Sequence, residues 1–259
     1  MAEKPIEPIH QFRITDYFNI GNFGGDGTPG SGVHLSFTNS ALFMILTVGL
    51  VLAFLVLGSN RRAIVPGRLQ LMTEMTYEFI ANMVRNTAGH DGMKFLPLVG
   101  SLFMFVLVAN LFGMFPYFFT VTSHIIVTFA MAAVVFIGVT IIGIAKHGWH
   151  FLSFFVPHGV PFVLLLLLVP IEVLSYIIRP FTLSIRLFAN MMAGHTMLAI
   201  FAGFVAPLLL AAGAIKAFAV VPLGVDILLI FLELLVAALQ AYVFTILTCL
   251  YLRDAIHLH

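Results

Sequence analysis

Residues 171–195, IEVLSYIIRPFTLSIRLFANMMAGH, set Glu172, Arg179, Arg186, Asn190 and His195 inside a run that is otherwise apolar enough to lie in lipid. On a helix, the seven-residue steps from Glu172 to Arg179 to Arg186 keep these side chains within about 40° of one another, and Asn190 follows one turn later on nearly the same face. His195, nine residues beyond Arg186, is rotated by about 180° and lies roughly 13 Å further along the axis, so it must meet a different neighbour. An arginine at membrane depth costs from about 3 to more than 10 kcal/mol, and such groups mark ion or proton pathways by default. The bland alternative is a structural Arg–Glu pair that pins two helices together.

The whole chain supports a membrane setting. It has 259 residues, 61% hydrophobic and only 9% charged, with a mean hydropathy of +1.10, far from soluble globular composition. A net charge of +1 and the lack of a basic run argue against nucleic-acid binding. The single Cys249 excludes an intrachain disulfide and a cysteine metal site. Residues 1–39 form a polar tail with no apolar core of the kind a cleavable signal needs, so the N-terminus is read as retained and external. Within it, GNFGGDGTPGSG at 21–32 reads as a flexible, turn-rich linker. That string lacks the preceding strand and the Lys-Ser/Thr ending of a phosphate loop. Residues 40–259 read as a single membrane domain.

In chain order, 41–57 is an uninterrupted apolar run that Thr38, Asn39 and Ser40 can cap, followed by Arg61, Arg62 and Arg68. The positive-inside rule puts that end in the cytoplasm. Over 68–86, Leu69, Met72, Met75, Phe79 and Met83 interleave with Gln70, Glu74, Glu78, Asn82 and Arg85 at helical spacing. This predicts an amphipathic helix on the cytoplasmic surface or against a partner, with a plain connecting helix as the alternative. Residues 95–145 hold no Asp, Glu, Lys or Arg and are broken near Pro116 and 120–124, which predicts a two-span hairpin with an external turn. His124 reads as a solvated loop histidine, with an outer-channel role as the alternative, and Tyr117 and Trp149 as interfacial anchors.

Residues 162–206 are too long for one upright span, since 45 residues at helical rise extend roughly 67 Å, about twice the hydrocarbon core. Hydropathy alone would cut the run at Arg179–Pro180. The same problem recurs over 225–252, where Asp226, Glu233 and Gln240 again step by seven along one face. If the two form an antiparallel hairpin, facing residues have numbers of nearly constant sum. His195 with Glu233, Arg186 with Gln240 and Pro207 with Pro222 satisfy that condition. The fold class expected is an all-α polytopic membrane protein: an upright N-terminal span, an amphipathic surface helix, an apolar two-helix hairpin, then two long antiparallel membrane helices.

The pattern running from Arg179 through Arg186-Leu187-Phe188-Ala189-Asn190-Met191 to Ala193-Gly194-His195 resembles the signature of the a-subunit family of F-type ATP synthases. Pro66-Gly67-Arg68 also matches that family's first cytoplasmic loop, and Asn110 with 123–132 resembles its outer-side segments. The resemblance covers most of the chain from Arg61 onward, is strongest at 171–195 and 231–251, and is weak before Ser40. It implies that the two long helices are tilted and wrap a rotor ring of c subunits. It further implies partners in peripheral-stalk b-type subunits, the remaining synthase subunits and the lipid bilayer, with no nucleic acid, cofactor or metal. Some bacterial members carry Glu at the position of His195 and His at that of Glu233, so the two types are exchanged here.

In this reading Arg186 is the fixed charge between two half-channels, because guanidinium stays protonated and attracts a rotor carboxylate without carrying protons. His195 and Glu233 exchange protons on the outer side. Glu172, about 21 Å from Arg186 along the helix, is the candidate inner exit. Asn190 and Gln240 hold water or hydrogen bonds near Arg186, with interhelical packing as the alternative. The expected site is a bacterial inner membrane rather than a mitochondrial one, with the C-terminus cytoplasmic. Two rivals belong to other classes. A self-contained secondary transporter would show paired repeats with helix breaks in matching halves, and none is visible. A structural scaffold gives no reason to bury Glu172, Arg179, Arg186 and Glu233 together.

Overall fold

The computed structural model describes residues 14–23, 33–60, 66–115, 118–149, 151, 156, 161–210 and 213–256. Arg61, Arg62, Pro116, Tyr117, the tail to residue 13 and residues 257–259 lie outside the described residues, as does most of the Gly-rich 21–32 segment. The order of elements is β1 (Asp16–Phe23), β2 (Val33–Thr38), α1 (Asn39–Ser59), α2 (Arg68–Gly92), α3 (Leu96–Gly113), α4 (Ile125–His147), α5 (Phe162–Leu210) and α6 (Val220–Ile256). The all-α membrane class therefore holds. Among the described residues, five helical stretches, one of them running through α2 and α3, are long and apolar enough to cross a membrane.

The N-terminal region differs from the expected featureless tail. β1 and β2 pair antiparallel, from Asp16 opposite Thr38 to Phe23 opposite Val33, with two register irregularities. Gly21–Phe23 thus belong to a strand and not to a linker. The ladder satisfies backbone groups that periodicity alone did not assign, and the Ser36 hydroxyl donates to Asp16 Oδ1 at 2.7 Å. The hairpin runs straight into α1, where Thr38 is the N-cap and its Oγ1 accepts from Ala41 N at 3.3 Å.

α2 begins at Arg68 as expected, and its regular path ends at Gly89, whose φ of 73° no other residue type adopts easily. Its second half packs inward through Ile80, Ala81, Val84 and Ala88, whereas Leu69, Met72, Met75 and Phe79 of the amphipathic stripe are exposed. α3 and α4 are the two apolar helices expected as a hairpin, and a 3-10 turn at Val121–Ser123 lies in their connection, but both pack on α6, with α4 also against α5, rather than mainly on each other. His124 is half-buried and stacks on Phe119 with ring centroids 5.1 Å apart. This corrects the solvated-loop expectation: an imidazole has an aromatic face to bury as well as polar edges. Trp149 is fully outward at 89% exposure, as an interfacial anchor requires.

α5 is continuous for 49 residues despite Pro170, Pro180 and Pro207 inside it. Each internal proline removes one backbone hydrogen bond, and lipid-embedded helices tolerate this where neighbours re-satisfy the freed groups. The neighbours are close. Thr128 of α4 and Ser184 of α5 share a 3.1 Å hydrogen bond, and Thr140 and Tyr176 share one of 2.7 Å. α6, 37 residues long, runs back along α5 and also packs on α2, α3 and α4. It sits at the centre through small residues, with Ala237 and Ala241 wholly buried beside Phe244 and Cys249. Small side chains let helix backbones approach where no hydrophobic force separates protein from lipid. The outward faces of α1, α5 and α6 carry large apolar side chains such as Ile45, Leu166 and Phe231.

Candidate functional site

The hairpin register is carried by contacts at two levels. His195 Nε2 of α5 lies 3.4 Å from Glu233 Oε1 of α6, and both side chains are buried. Two turns along, Gln240 Nε2 donates to the Arg186 carbonyl at 3.3 Å. That oxygen also faces the usual helical N–H, so Gln240 uses its second lone pair. The close approach at the first level depends on Gly194. A Cβ there would stand 2.8 Å from Glu233 Oε1, so any side chain would displace the carboxylate. Neither Glu233 oxygen accepts a hydrogen bond from the described residues, and His195 is the ionisable group it faces.

A third element completes this level. The α3–α4 connection brings Thr120 Oγ1 to 3.2 Å from His195 Nε2. Beside it, Thr122 Oγ1 donates to Asn110 Oδ1 at 2.9 Å, and Asn110 Nδ2 donates to the Ala237 carbonyl of α6 at 3.2 Å. Thr120, Thr122, Ser123 and Asn110 are all buried. The result is a buried polar layer from α3 through the connection to α5 and α6, set in an otherwise apolar bundle. Sequence reasoning read 120–124 as a helix break, with Asn110 and 123–132 resembling outer-side segments, but gave no role to Thr120 or Thr122. The two threonines spaced by two residues next to a buried asparagine were the available signal.

Arg186 and Asn190 are exposed on the opposite face of α5, among Phe181, Ile185 and other outward apolar side chains. Among the described residues no carboxylate lies within ion-pair distance of Arg186. Among the described residues, the hydrogen bonds of Gln240 and His195 go to Arg186 and Thr120 and not to Asn190. Glu172 is half-buried and, among the described residues, forms no ion pair with Arg179 or Arg186.

Arg179 makes the structural pair that the alternative reading assigned to the stripe, though with a different acid. Its Nη1 donates to Asp254 Oδ2 of α6 at 3.3 Å. Its guanidinium lies over the rings of Tyr176 and Tyr251, 5.2 and 4.9 Å from their centroids. The pair departs from the register of His195–Glu233 by five residues in the number sum, an axial offset of about 7.5 Å that a long arginine can span. His147 Nε2 meets the Ile256 carbonyl at 3.0 Å and fastens the same end of α6 to α4.

Among the described residues no cluster of metal-ligating side chains forms. What the arrangement offers is a buried imidazole–carboxylate pair and, on another face of the same helix, an unneutralised guanidinium in an apolar surface. The family model described as ATP synthase A chain matches residues 41–253. The chain is similar to the ATP synthase subunit a of Mesorhizobium japonicum, 57% identical over 257 residues and covering 99% of each chain. It is also similar to the subunit a of Chelativorans sp., 56% identical over 251 residues, 97% of this chain and 98% of the relative. That of Rhodospirillum rubrum is 53% identical over 252 residues, 97% of this chain and 99% of the relative.

Proposed function

The chain belongs to the ATP synthase A chain family, and on that premise we propose that it is the stationary, non-catalytic proton-channel subunit of an F-type ATP synthase. It passes protons through two offset half-channels to and from carboxylates on a rotor ring of c subunits, and the ring's rotation drives ATP synthesis elsewhere in the complex. The observation that carries this reading is Arg186: a permanent cation exposed on an apolar helix face with no carboxylate partner among the described residues. An unpaired charge in lipid is expensive, and a carboxylate brought to it by another subunit completes it. Guanidinium does not give up its proton under these conditions, so Arg186 displaces the proton from each arriving carboxylate and keeps the two half-channels from short-circuiting.

His195 and Glu233 load the rotor on the outer side. Being in contact, they titrate as a pair with no private pKa for either. Glu172, further along α5, is the inner exit, and Asn190 and Gln240 line the path beside Arg186. A full crossing at 100 mV releases about 2.3 kcal/mol per proton, so a ring that accumulates several steps per ATP is physically sensible. Besides the ring, b-type stalk subunits and the remainder of the synthase are the partners, in a bacterial inner membrane with the N-terminal tail, 1–39, outside and the membrane domain, 40–259, ending in the cytoplasm. The long helices lie tilted against the ring.

Purification of the tagged chain from native membranes tests the reading. Recovery with a small two-helix ring protein and soluble ATPase subunits is expected, and a functional transporter free of partners would refute it. Cysteine labelling from each side, in a background lacking Cys249, tests the topology. Residues 253–259 should react from the cytoplasm and the turn between Pro207 and Pro222 from outside. The reverse pattern would mean that 162–206 crosses twice.

A further inference from the structure

We propose that Thr120 is the positioning residue of the His195–Glu233 pair, its hydroxyl keeping His195 Nε2 hydrogen-bonded whether or not that nitrogen carries a proton. This rests on the reading of His195 and Glu233 as a proton-exchange pair. Three elements converge on one nitrogen: Thr120 Oγ1 at 3.2 Å from the α3–α4 connection, and Glu233 Oε1 at 3.4 Å from α6, both facing Nε2 on α5. A threonine hydroxyl has one proton to give and two lone pairs to accept with. Its second partner here is the Gly113 carbonyl at 3.4 Å, which can only accept. With a proton on Nε2, the imidazole donates to Oγ1 and the hydroxyl proton goes to Gly113. With Nε2 bare, the hydroxyl rotates and donates to the imidazole. The ring is held in one orientation while its proton content changes, which a valine of the same shape cannot do.

The surroundings are built for this contact. Thr120 is 3% exposed, so water does not substitute freely for its partners. Gly113 makes room for it: a Cβ there would lie 2.6 Å from Thr120 Cγ2 and 2.8 Å from Oγ1. The Thr120 carbonyl accepts from Ser123 Oγ at 2.6 Å and from Ser123 N at 3.2 Å, which fixes the backbone that presents the hydroxyl. Among the described residues Glu233 is the ionisable side chain in ion-pair contact with His195. Of the other ionisable groups on elements packed against α5, His124 stacks on Phe119, and Lys216 and Asp226 belong to the turn end of the hairpin. Lys146, His147, Arg253 and Asp254 belong to its other end, where Lys146 pairs with Asp91 and Asp254 with Arg179.

The test uses the complete synthase in inverted membrane vesicles, reading ATP-driven proton uptake per assembled complex across pH. In Thr120→Val, uptake should fall about tenfold and its pH profile should move by about one pH unit, the factor expected when one hydrogen bond to an ionisable partner is lost. Thr120→Ser should match the parent in both. In a His195→Gln background, Thr120→Val should cost nothing more, because it acts through His195. Thr120→Ala serves where the Val variant fails to assemble. A Val or Ala variant that pumps like the parent while His195→Gln is impaired overturns the inference and leaves the proposed function standing. Equal loss in Ser and Val, or further loss on top of His195→Gln, overturns it as well. Parent-like pumping by both His195→Gln and Glu233→Gln removes the underlying reading of the pair.

Discussion

Arg179 and Arg186 are the same residue type two turns apart on one helix, and their surroundings are opposite. Arg179 is enclosed: a carboxylate from α6 neutralises it and two tyrosine rings cover its faces. Arg186 stands on the outer surface of α5 with apolar neighbours and, among the described residues, no acid in reach. A cation whose partners are supplied within the chain holds the fold together. One with no acid in reach among the described residues is the charge that the proposed function pairs with a partner subunit. Two further turns along, His195 faces inward, with Thr120 Oγ1 and Glu233 Oε1 both close to its Nε2, so one helix carries a clasp, an outward charge and a buried imidazole–carboxylate contact in succession.

The sharpest way to break this contrast is to remove each station and read proton-coupled work. Arg186→Ala should abolish ATP synthesis driven by a proton gradient, and Arg186→Lys should rescue it poorly, because an ammonium gives up its proton more readily when desolvated and presents no fork of donors. Near-parental synthesis by an assembled Ala variant would dissolve the distinction between the two arginines.

Next in size are the exchanges at the inward pair. His195→Glu alone sets two carboxylates together and Glu233→His alone sets two imidazoles together, and each like pair resists simultaneous charging. Both singles should pump poorly, and the double exchange, with one acid and one imidazole restored at the same level, should pump better than either. The readout is ATP-driven proton uptake in inverted vesicles; a double variant no better than the worse single would separate the two residues functionally.

A smaller loss is expected from Gly194→Ala, which places a methyl 2.8 Å from Glu233 Oε1 and pushes the carboxylate away from His195. Uptake should drop severalfold with assembly intact, and an unchanged rate would show that the 3.4 Å contact is dispensable. The smallest effect on pumping belongs to Arg179→Ala. It should cost about 2 kcal/mol of stability through the lost charged hydrogen bond and ring contacts, seen as a lower melting temperature of the complex, while uptake per assembled complex stays near the parent. Loss of pumping without loss of stability would move Arg179 from the clasp to the pathway.

Much of this was legible in the residues. Length made 162–206 longer than one upright span needs, heptad steps put Glu172, Arg179 and Arg186 on one stripe, and the constant number sum aligned His195 with Glu233 and Arg186 with Gln240. The register held because helix geometry is local and regular, although Gln240 meets the backbone carbonyl of Arg186 while the Arg186 side chain is exposed. Three other readings were out of reach. The β1–β2 hairpin depends on pairing across a Gly-rich connection that reads as a linker. The Arg179–Asp254 pair breaks the register by the reach of a long side chain. Thr120 sits in a short connection with no period to project it onto a face.

The order of amino acids dictates the set of apolar helices, their membrane setting, the spacing of polar groups along α5 and α6, and the family to which they belong. Which of those groups are satisfied from within follows from the packing of the helices. Periodicity places a side chain on a face of its own helix, but whether that face meets a carboxylate, a threonine hydroxyl or open lipid depends on contacts between residues far apart in the chain. Thr120 and His195 are 75 positions apart, as are Arg179 and Asp254, and no local pattern in either segment specifies the other.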